Sequence, residues 1–308
     1  MDGEIKVSIC CITYNHEKYI RQCLDGFVMQ KTNFKFEVII HDDASIDGTA
    51  DIVREYEKKY PDIIKPIYQT ENQYSTAKGI LKRFVYPRTR GTYIAMCEGD
   101  DYWTDEYKLQ KQVDFMEANP DYTICFHNVK RIFETGIKDD DIFPTQTMVD
   151  AGFTFENLLK CNFIQTNSVM YRWNAIDDVT AKLPSNILPF DWYLHLMFAK
   201  EGKIKFMEDV MSVYRVNANG VWYDSFKDKQ TFYLKNCFKL MNFYDKVFQT
   251  IANKKYAYYK IWIYNYNLIK GYLSPVKYIK QNFYFSFKYT LKKWIYLFNI
   301  IRLILLIN

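Results

Sequence analysis

The sequence predicts an α/β domain that opens with buried, parallel-type strands, and three strand-to-loop junctions predict it. Val7-Ser8-Ile9-Cys10-Cys11-Ile12 and Phe36-Glu37-Val38-Ile39-Ile40 are short apolar runs of the kind made by parallel strands covered on both faces. A third run, Tyr93-Ile94-Ala95-Met96, enters Cys97-Glu98-Gly99-Asp100-Asp101, where three carboxylates cluster at a strand's end. At 308 residues and 49% hydrophobic content, the chain can bury one large α/β core and still carry a second region.

The elements follow in order. After Ile12 the loop Thr13-Tyr14-Asn15-His16 gives way to a helical spacing of Tyr19, Ile20, Cys23, Leu24 and Phe27. The second strand leads into His41-Asp42-Asp43-Ala44-Ser45-Ile46-Asp47-Gly48-Thr49, and a charged helix from Asp51 to Lys59 closes before Pro61. In this loop a carboxylate such as Asp43 can accept a hydrogen bond from a base or ribose; Ser45, Asp47 and Thr49 read equally as caps of the following helix. The acidic third loop precedes a helical pattern at Tyr107, Leu109, Val113, Phe115 and Met116. Ligands of open α/β sheets bind at such carboxyl ends. A hard divalent ion held by one or two carboxylates keeps positions open for phosphate oxygens, so the cluster reads either as a Mg²⁺ or Mn²⁺ site or as a solvated turn. A strand is expected over Tyr122 to Phe133, and Asp139-Asp140-Asp141 beyond it reads as a solvated loop.

Taken together, Val7 to Asn15, Glu37 to Thr49 and Tyr93 to Trp103 resemble the family 2 glycosyltransferases, an inverting group with the GT-A fold. The shared pattern is a strand ending in Tyr-Asn, then Asp-Asp-x-Ser-x-Asp-x-Thr, then a D-x-D-like motif. Leu188-Pro189-Phe190-Asp191-Trp192 and Val210-Met211-Ser212-Val213-Tyr214-Arg215 extend the likeness, which covers about residues 5 to 222. The resemblance implies a Rossmann-like mixed sheet flanked by helices. It implies that Ile12, Thr13 and Tyr14 lie beside the donor nucleotide, that Asp43 contacts the uracil of a UDP-sugar, and that Asp100 ligates Mn²⁺ or Mg²⁺. Glu98 and Gly99 complete that motif, with Glu98 toward ribose or metal-bound water, and Asp191 matches the general base; its other reading is a helix N-cap. Many relatives have His two residues after the Arg matched by Arg215, where this chain has Asn217. Lys78, Arg83 and Arg215 are candidate diphosphate or donor contacts, although Arg215 could instead pair with Asp209 or Glu208.

Charge divides the chain near residue 226. Of its 41 Lys and Arg, 15 fall in residues 227–308, where Asp228 and Asp245 are the only acids; the first 226 residues carry 34 acids against 26 bases. The basic region is strongly aromatic and ends in an apolar stretch, Trp294 to Ile307, broken by Asn299 and Arg302 and shorter than the roughly 20 residues of a membrane span. A helical extension lying at a membrane interface is expected, the other readings being a helical pair packed on the catalytic domain or an oligomer contact. A 1–226 catalytic domain with a 227–308 extension would place the enzyme at the cytoplasmic face of the membrane, acting on a lipid-linked or growing surface glycan.

Other classes find no support. Seven cysteines without C-x-x-C read as reduced core thiols, the four histidines lack zinc spacing, and no P-loop is present. Aromatic and basic residues without an RRM or KH signature do not indicate nucleic acid. A catalytically silent, membrane-bound scaffold is the remaining alternative, and a phosphoglycerol transferase the nearest enzymatic one.

Overall fold

Among the residues described by the structure, a computed structural model, nine strands join one mixed sheet of order β3-β2-β1-β4-β8-β6-β9-β5, with β7 added beside β6. The described residues are 4–76, 79–184, 187–218, 220, 223–227, 243, 246–247 and 250–251. The chain divides into two compact units, Met1–Phe243 and Tyr244–Asn308. The aromatic, basic region expected to meet a membrane lies almost wholly outside the described residues, as do Lys78 and Cys237. Among the described residues no helix is long and apolar enough to cross a membrane.

The strands are β1 (Ile5–Thr13), β2 (Lys35–Asp42), β3 (Ile64–Tyr68), β4 (Tyr93–Met96), β5 (Tyr102–Trp103), β6 (Tyr122–Phe133), β7 (Asp141–Phe143), β8 (Met170–Arg172) and β9 (Lys203–Val216). β1 pairs in parallel with β2 on one side and β4 on the other, and β2 with β3. β8 runs antiparallel to both β4 and β6, while β6 and β9 are parallel. Because the chain passes from β1 to β2 on one side and returns to β4 on the other, the strand order reverses at β1. A crevice opens at such a reversal, outside the strands' carboxyl ends.

Helices α1 (Ile20–Val28), α2 (Thr49–Lys59), α3 (Gln73–Thr76) and α4 (Lys108–Ala118) belong to the first half; α5 (Gln146–Ala151), α6 (Phe155–Lys160), α7 (Val179–Lys182) and α8 (Phe190–Glu201) to the second. α1 buries Ile20, Cys23, Leu24 and Phe27 at helical spacing, against a core that includes Val7, Ile9, Cys11, Val38 and Ile40. The dominant favourable term here is removal of apolar surface from water, about 25 cal/mol per Å². At the start of β4, Gly91 is required by space: a Cβ there would lie 2.4 Å from the backbone nitrogen of Ser8 and 2.7 Å from the Val7 carbonyl carbon. Its N–H donates to Ser8 Oγ, which itself donates to the buried Glu37 carboxylate that Arg90 clasps at 2.6 and 2.9 Å.

Three expectations are corrected. The acidic loop does not run straight into a helix: Tyr102 and Trp103 first pair with Val213 and Ser212 as β5. The Asp139–Asp141 run is not merely solvated, because Asp141 receives both Arg131 bonds at 2.6 Å and Asp140 accepts the Phe133 N–H. Cysteines 10, 11, 23, 97 and 125 are buried and free as expected, but Cys161 is exposed.

One buried charge was not foreseen. Lys108, fully buried, donates through Nζ to Gln112 Oε1 at 2.7 Å and sits 4.1 Å above the Trp103 ring. Burial lowers its pKa to about 7, opposed by the nearby Cys97, Cys125 and Asp105. Buried His127 faces the same ammonium. The unfolded chain holds this proton up to about pH 10.4 and the folded one does not, so the unfolded state binds more protons between these values. Lys108 therefore contributes a stability term that rises with pH from about 7. The stability of wild type relative to Lys108→Met is expected to improve over that window in denaturant titrations at stepped pH; parallel pH curves would mean that the buried amine stays protonated.

Candidate active site

The loops at the carboxyl ends of β1, β2 and β4 bond to one another. Asn15 has a positive φ of 53°, and its N–H donates to Ser45 Oγ while its side-chain oxygen accepts the Ile46 N–H, both at 2.9 Å. The His16 N–H donates to Thr49 Oγ1 and the Glu17 N–H to Asp47 Oδ2. The N-cap of α2 is Gly48, with no side-chain cap bond, so the expectation that Ser45, Asp47 and Thr49 cap the helix is corrected: they satisfy the backbone donors of the neighbouring loop and fix the two loops as a unit. Tyr14 is left 42% exposed at the end of β1, beside half-buried Ile12 and buried Thr13.

Asp43 is buried at 3% exposure, and its two oxygens accept the N–H groups of Gln73 and Tyr74 at 2.7 and 2.9 Å. Each carboxylate oxygen retains a further lone pair, so the side chain fixes the start of α3 and can still accept from a ligand. Its own N–H donates to the Thr13 carbonyl, which holds Asp43 against the end of β1.

The acidic turn is anchored to β1 in the same way. The N–H groups of Cys97 and Gly99 donate to the carbonyls of Cys10 and Ile12, and the Asp101 N–H closes the turn on the Glu98 carbonyl at 3.0 Å. A Cβ on Gly99 would lie 2.6 Å from Thr13 Oγ1 and 3.0 Å from His16 Nδ1, so only glycine lets the turn approach this closely. The thiols of Cys23 and Cys97 both point at the Glu98 carbonyl. One oxygen from each of Glu98, Asp100 and Asp101 falls within 4.8 Å of the others. Burial, then repulsion from Asp100 and Asp191, pushes Glu98 up to about 8; burial, then Asp100, pushes Asp101 well above the carboxylate range. Asp101 is fully buried, with Oδ1 accepting the Arg215 N–H and Oδ2 lacking any partner. An all-oxygen donor set with mutual repulsion and an orphaned oxygen suits a hard divalent cation.

Asp191 is in the first turn of α8, where the N-terminal dipole favours a carboxylate. Its Oδ2 accepts from Asn162 Nδ2 at 3.2 Å. Burial raises its pKa, partly offset by the Trp192 N–H, its own N–H and Asn162. Asp191 adds, after burial and Asp100, to the upward push on the Glu98 pKa.

The other cations behave differently from expectation. Arg215 pairs with neither Asp209 nor Glu208: Asp209 is held by Lys111, and the guanidinium turns inward to the Asp100 carbonyl and Gln22. Arg83 is exposed beside Phe84. Sequence reasoning missed Asn162, which lies in a loop with no motif, and His16, whose buried Nδ1 has no partner and faces Gly99. Asn217 Nδ2 donates to Asp100 Oδ2 at 3.2 Å.

Comparison with known proteins extends this description. The pattern of Glycosyl transferase family 2 matches residues 8–221. An uncharacterized protein of Mycobacterium tuberculosis is 44% identical over 230 residues, which are 74% of this chain and 63% of that protein. The chain therefore spans under two thirds of that relative's length. Among solved structures, Staphylococcus aureus TarS in complex with UDP-GlcNAc superposes with a TM-score of 0.63 at 18% identity, covering 94% of this chain and 77% of that one. A mannosyltransferase from Pyrobaculum calidifontis in complex with GDP-Man and Mn²⁺ gives 0.56 at 18% identity, over 80% and 65%. At such identity the likeness is one of fold.

Proposed function

The chain belongs to glycosyl transferase family 2, and from that premise we propose that it transfers a sugar with inversion from a nucleoside-diphosphate donor, a UDP-sugar, to a glycan hydroxyl. The observation that carries this reading is the cluster of Glu98, Asp100 and Asp101, whose carboxylate oxygens lie within 4.8 Å of one another on a turn hydrogen-bonded to the Cys10 and Ile12 carbonyls at the end of β1. Support for UDP comes from the UDP-GlcNAc complex of the TarS neighbour, against GDP-Man in the mannosyltransferase.

In this reading Ile12, Thr13, Tyr14 and Asp43 hold the nucleotide, and Glu98 and Gly99 border the ribose. Asp100, aided by the two neighbouring carboxylates, would hold Mg²⁺ or Mn²⁺. When bound, such an ion supplies positive charge for the departing diphosphate. Asp191 takes the proton of the acceptor hydroxyl as its oxygen attacks the anomeric carbon from the face opposite the diphosphate. The bond from that carbon to the diphosphate oxygen breaks, and its electron pair leaves with the nucleotide. Burial, by raising the pKa of Asp191, makes it the stronger base.

Incubating the full chain with a panel of UDP- and GDP-sugars tests the reading through release of free nucleoside diphosphate. Slow, divalent-dependent hydrolysis of a UDP-sugar is expected. A folded protein inert to every donor would favour the silent scaffold. For the acceptor, a lipid-linked or growing surface glycan fits the basic, aromatic residues 227–308, which would hold the enzyme on the inner face of the membrane. Flotation of the full chain with phosphatidylserine vesicles but not phosphatidylcholine ones is the expected sign; equal absence from both would remove the membrane from the account.

A further inference from the structure

Arg215 is the penultimate residue of β9, where its backbone N–H and guanidinium reach the acidic turn. It is 8% exposed, and every polar atom of it that the structure pairs is turned toward the protein. Its backbone N–H donates to Asp101 Oδ1 at 2.9 Å. Its guanidinium donates through Nη1 to the Asp100 carbonyl and through Nη2 to Gln22 Oε1, on α1, while Nε lies 3.8 Å from Glu134 Oε1. The guanidinium carbon is 4.4 Å from the centre of the Tyr102 ring and 5.0 Å from that of Tyr19. Two residues further on, Asn217 donates to Asp100 Oδ2.

We propose that Arg215 is a positioning residue: it holds Asp100 and Asp101 in the geometry that receives the cation, and it is not a ligand of the donor diphosphate. A planar guanidinium can bond a carbonyl and an amide oxygen in one plane while its faces meet two rings. Lysine offers a point charge without that fork, so it cannot replace these contacts together. Two of its five N–H donors are committed to Asp100 and Gln22, Nε faces Glu134, and the side chain is only 8% exposed, so little of it is open to a phosphate. Asn217, just beyond the end of β9, completes the support by orienting one oxygen of Asp100. Partners that orient metal ligands in this way are worth about 10- to 100-fold in metal affinity.

The inference rests on the proposed metal site at Asp100, and the test separates the two. Mn²⁺ affinity is read by electron paramagnetic resonance on the full chain, and UDP affinity is read by calorimetry with chelator present. Wild type, Asp100→Asn, Arg215→Lys, Arg215→Ala and Gln22→Ala are compared, each after a thermal melt. The expected pattern is Mn²⁺ binding by wild type that Asp100→Asn abolishes and that Arg215→Lys weakens by about 10-fold or more. Chelated UDP binding should be unchanged in the Arg215 variants, and millimolar guanidinium, but not ammonium, should restore Mn²⁺ affinity to Arg215→Ala. Gln22→Ala removes only one anchor and gives a smaller loss in a chain that keeps the arginine, which covers the case of poor folding. Undiminished Mn²⁺ affinity in folded Arg215→Lys would overturn the proposal, as would an equal loss of chelated UDP binding, the mark of a phosphate ligand. Absence of Mn²⁺ binding in wild type would instead overturn the metal site on which it stands.

Discussion

Asp191→Asn is expected to lower turnover by about 10²-fold or more while leaving donor affinity unchanged. The amide is nearly isosteric with the carboxylate and can still accept from Asn162 Nδ2, so the first turn of α8 keeps its geometry. What is lost under the proposed mechanism is the group that removes the acceptor proton in the transition state, and such an interaction affects the rate without affecting ground-state binding. Burial pushes the Asp191 carboxyl up, so the acid limb of the wild-type turnover profile should lie above the ordinary aspartate value. Turnover falls as pH drops through that raised value, because the protonated acid cannot serve as base. Steady-state kinetics with donor varied measures both parts. Parallel losses in turnover and donor affinity would reassign Asp191 to a structural cap.

Asp100→Asn carries the second large effect, an expected loss of about 10²- to 10³-fold in turnover, the range found when one stabilising group is removed from developing charge. The turn itself should survive: it is set by the N–H groups of Cys97, Gly99 and Asp101, and Arg215 binds the Asp100 carbonyl, none of which the substitution touches. The variant should bind UDP in the presence of chelator as wild type does, yet gain nothing from added Mn²⁺. A variant whose UDP binding still strengthens with Mn²⁺ would shift the ligand role to Glu98 or Asp101, the other oxygens of the cluster.

Much of the fold could be read from periodicity, because buried parallel strands write continuous apolar runs. β1, β2 and β4 follow from theirs, and β6 spans the same Tyr122–Phe133 that its pattern indicates. β5, β7 and β8, of two or three residues each, are too short to carry a period, and they exist because partners reach them: Tyr102 and Trp103 are strand because Val213 and Ser212 lie alongside. The acidic turn at Glu98, Asp100 and Asp101 stands out in the sequence because charge clusters there, whereas Asp191, alone in an apolar stretch, is indicated only by the family resemblance. The candidate site was illegible where a contact depends on tertiary placement. Arg215 sits close in sequence to Glu208 and Asp209 but finds Asp100 and Gln22 instead, since Lys111 takes Asp209 from the facing helix. Asn162 reaches Asp191 from an irregular loop, and Lys108 is buried on a helix face that a count of apolar positions assigns to solvent.

Calorimetric titration of the purified chain with UDP and with GDP, each with and without Mn²⁺, tests the central claim most directly. The account predicts that UDP binds in preference to GDP, that Mn²⁺ strengthens this binding, and that chelator removes the gain. A folded chain that binds neither nucleotide under any of these conditions would contradict it.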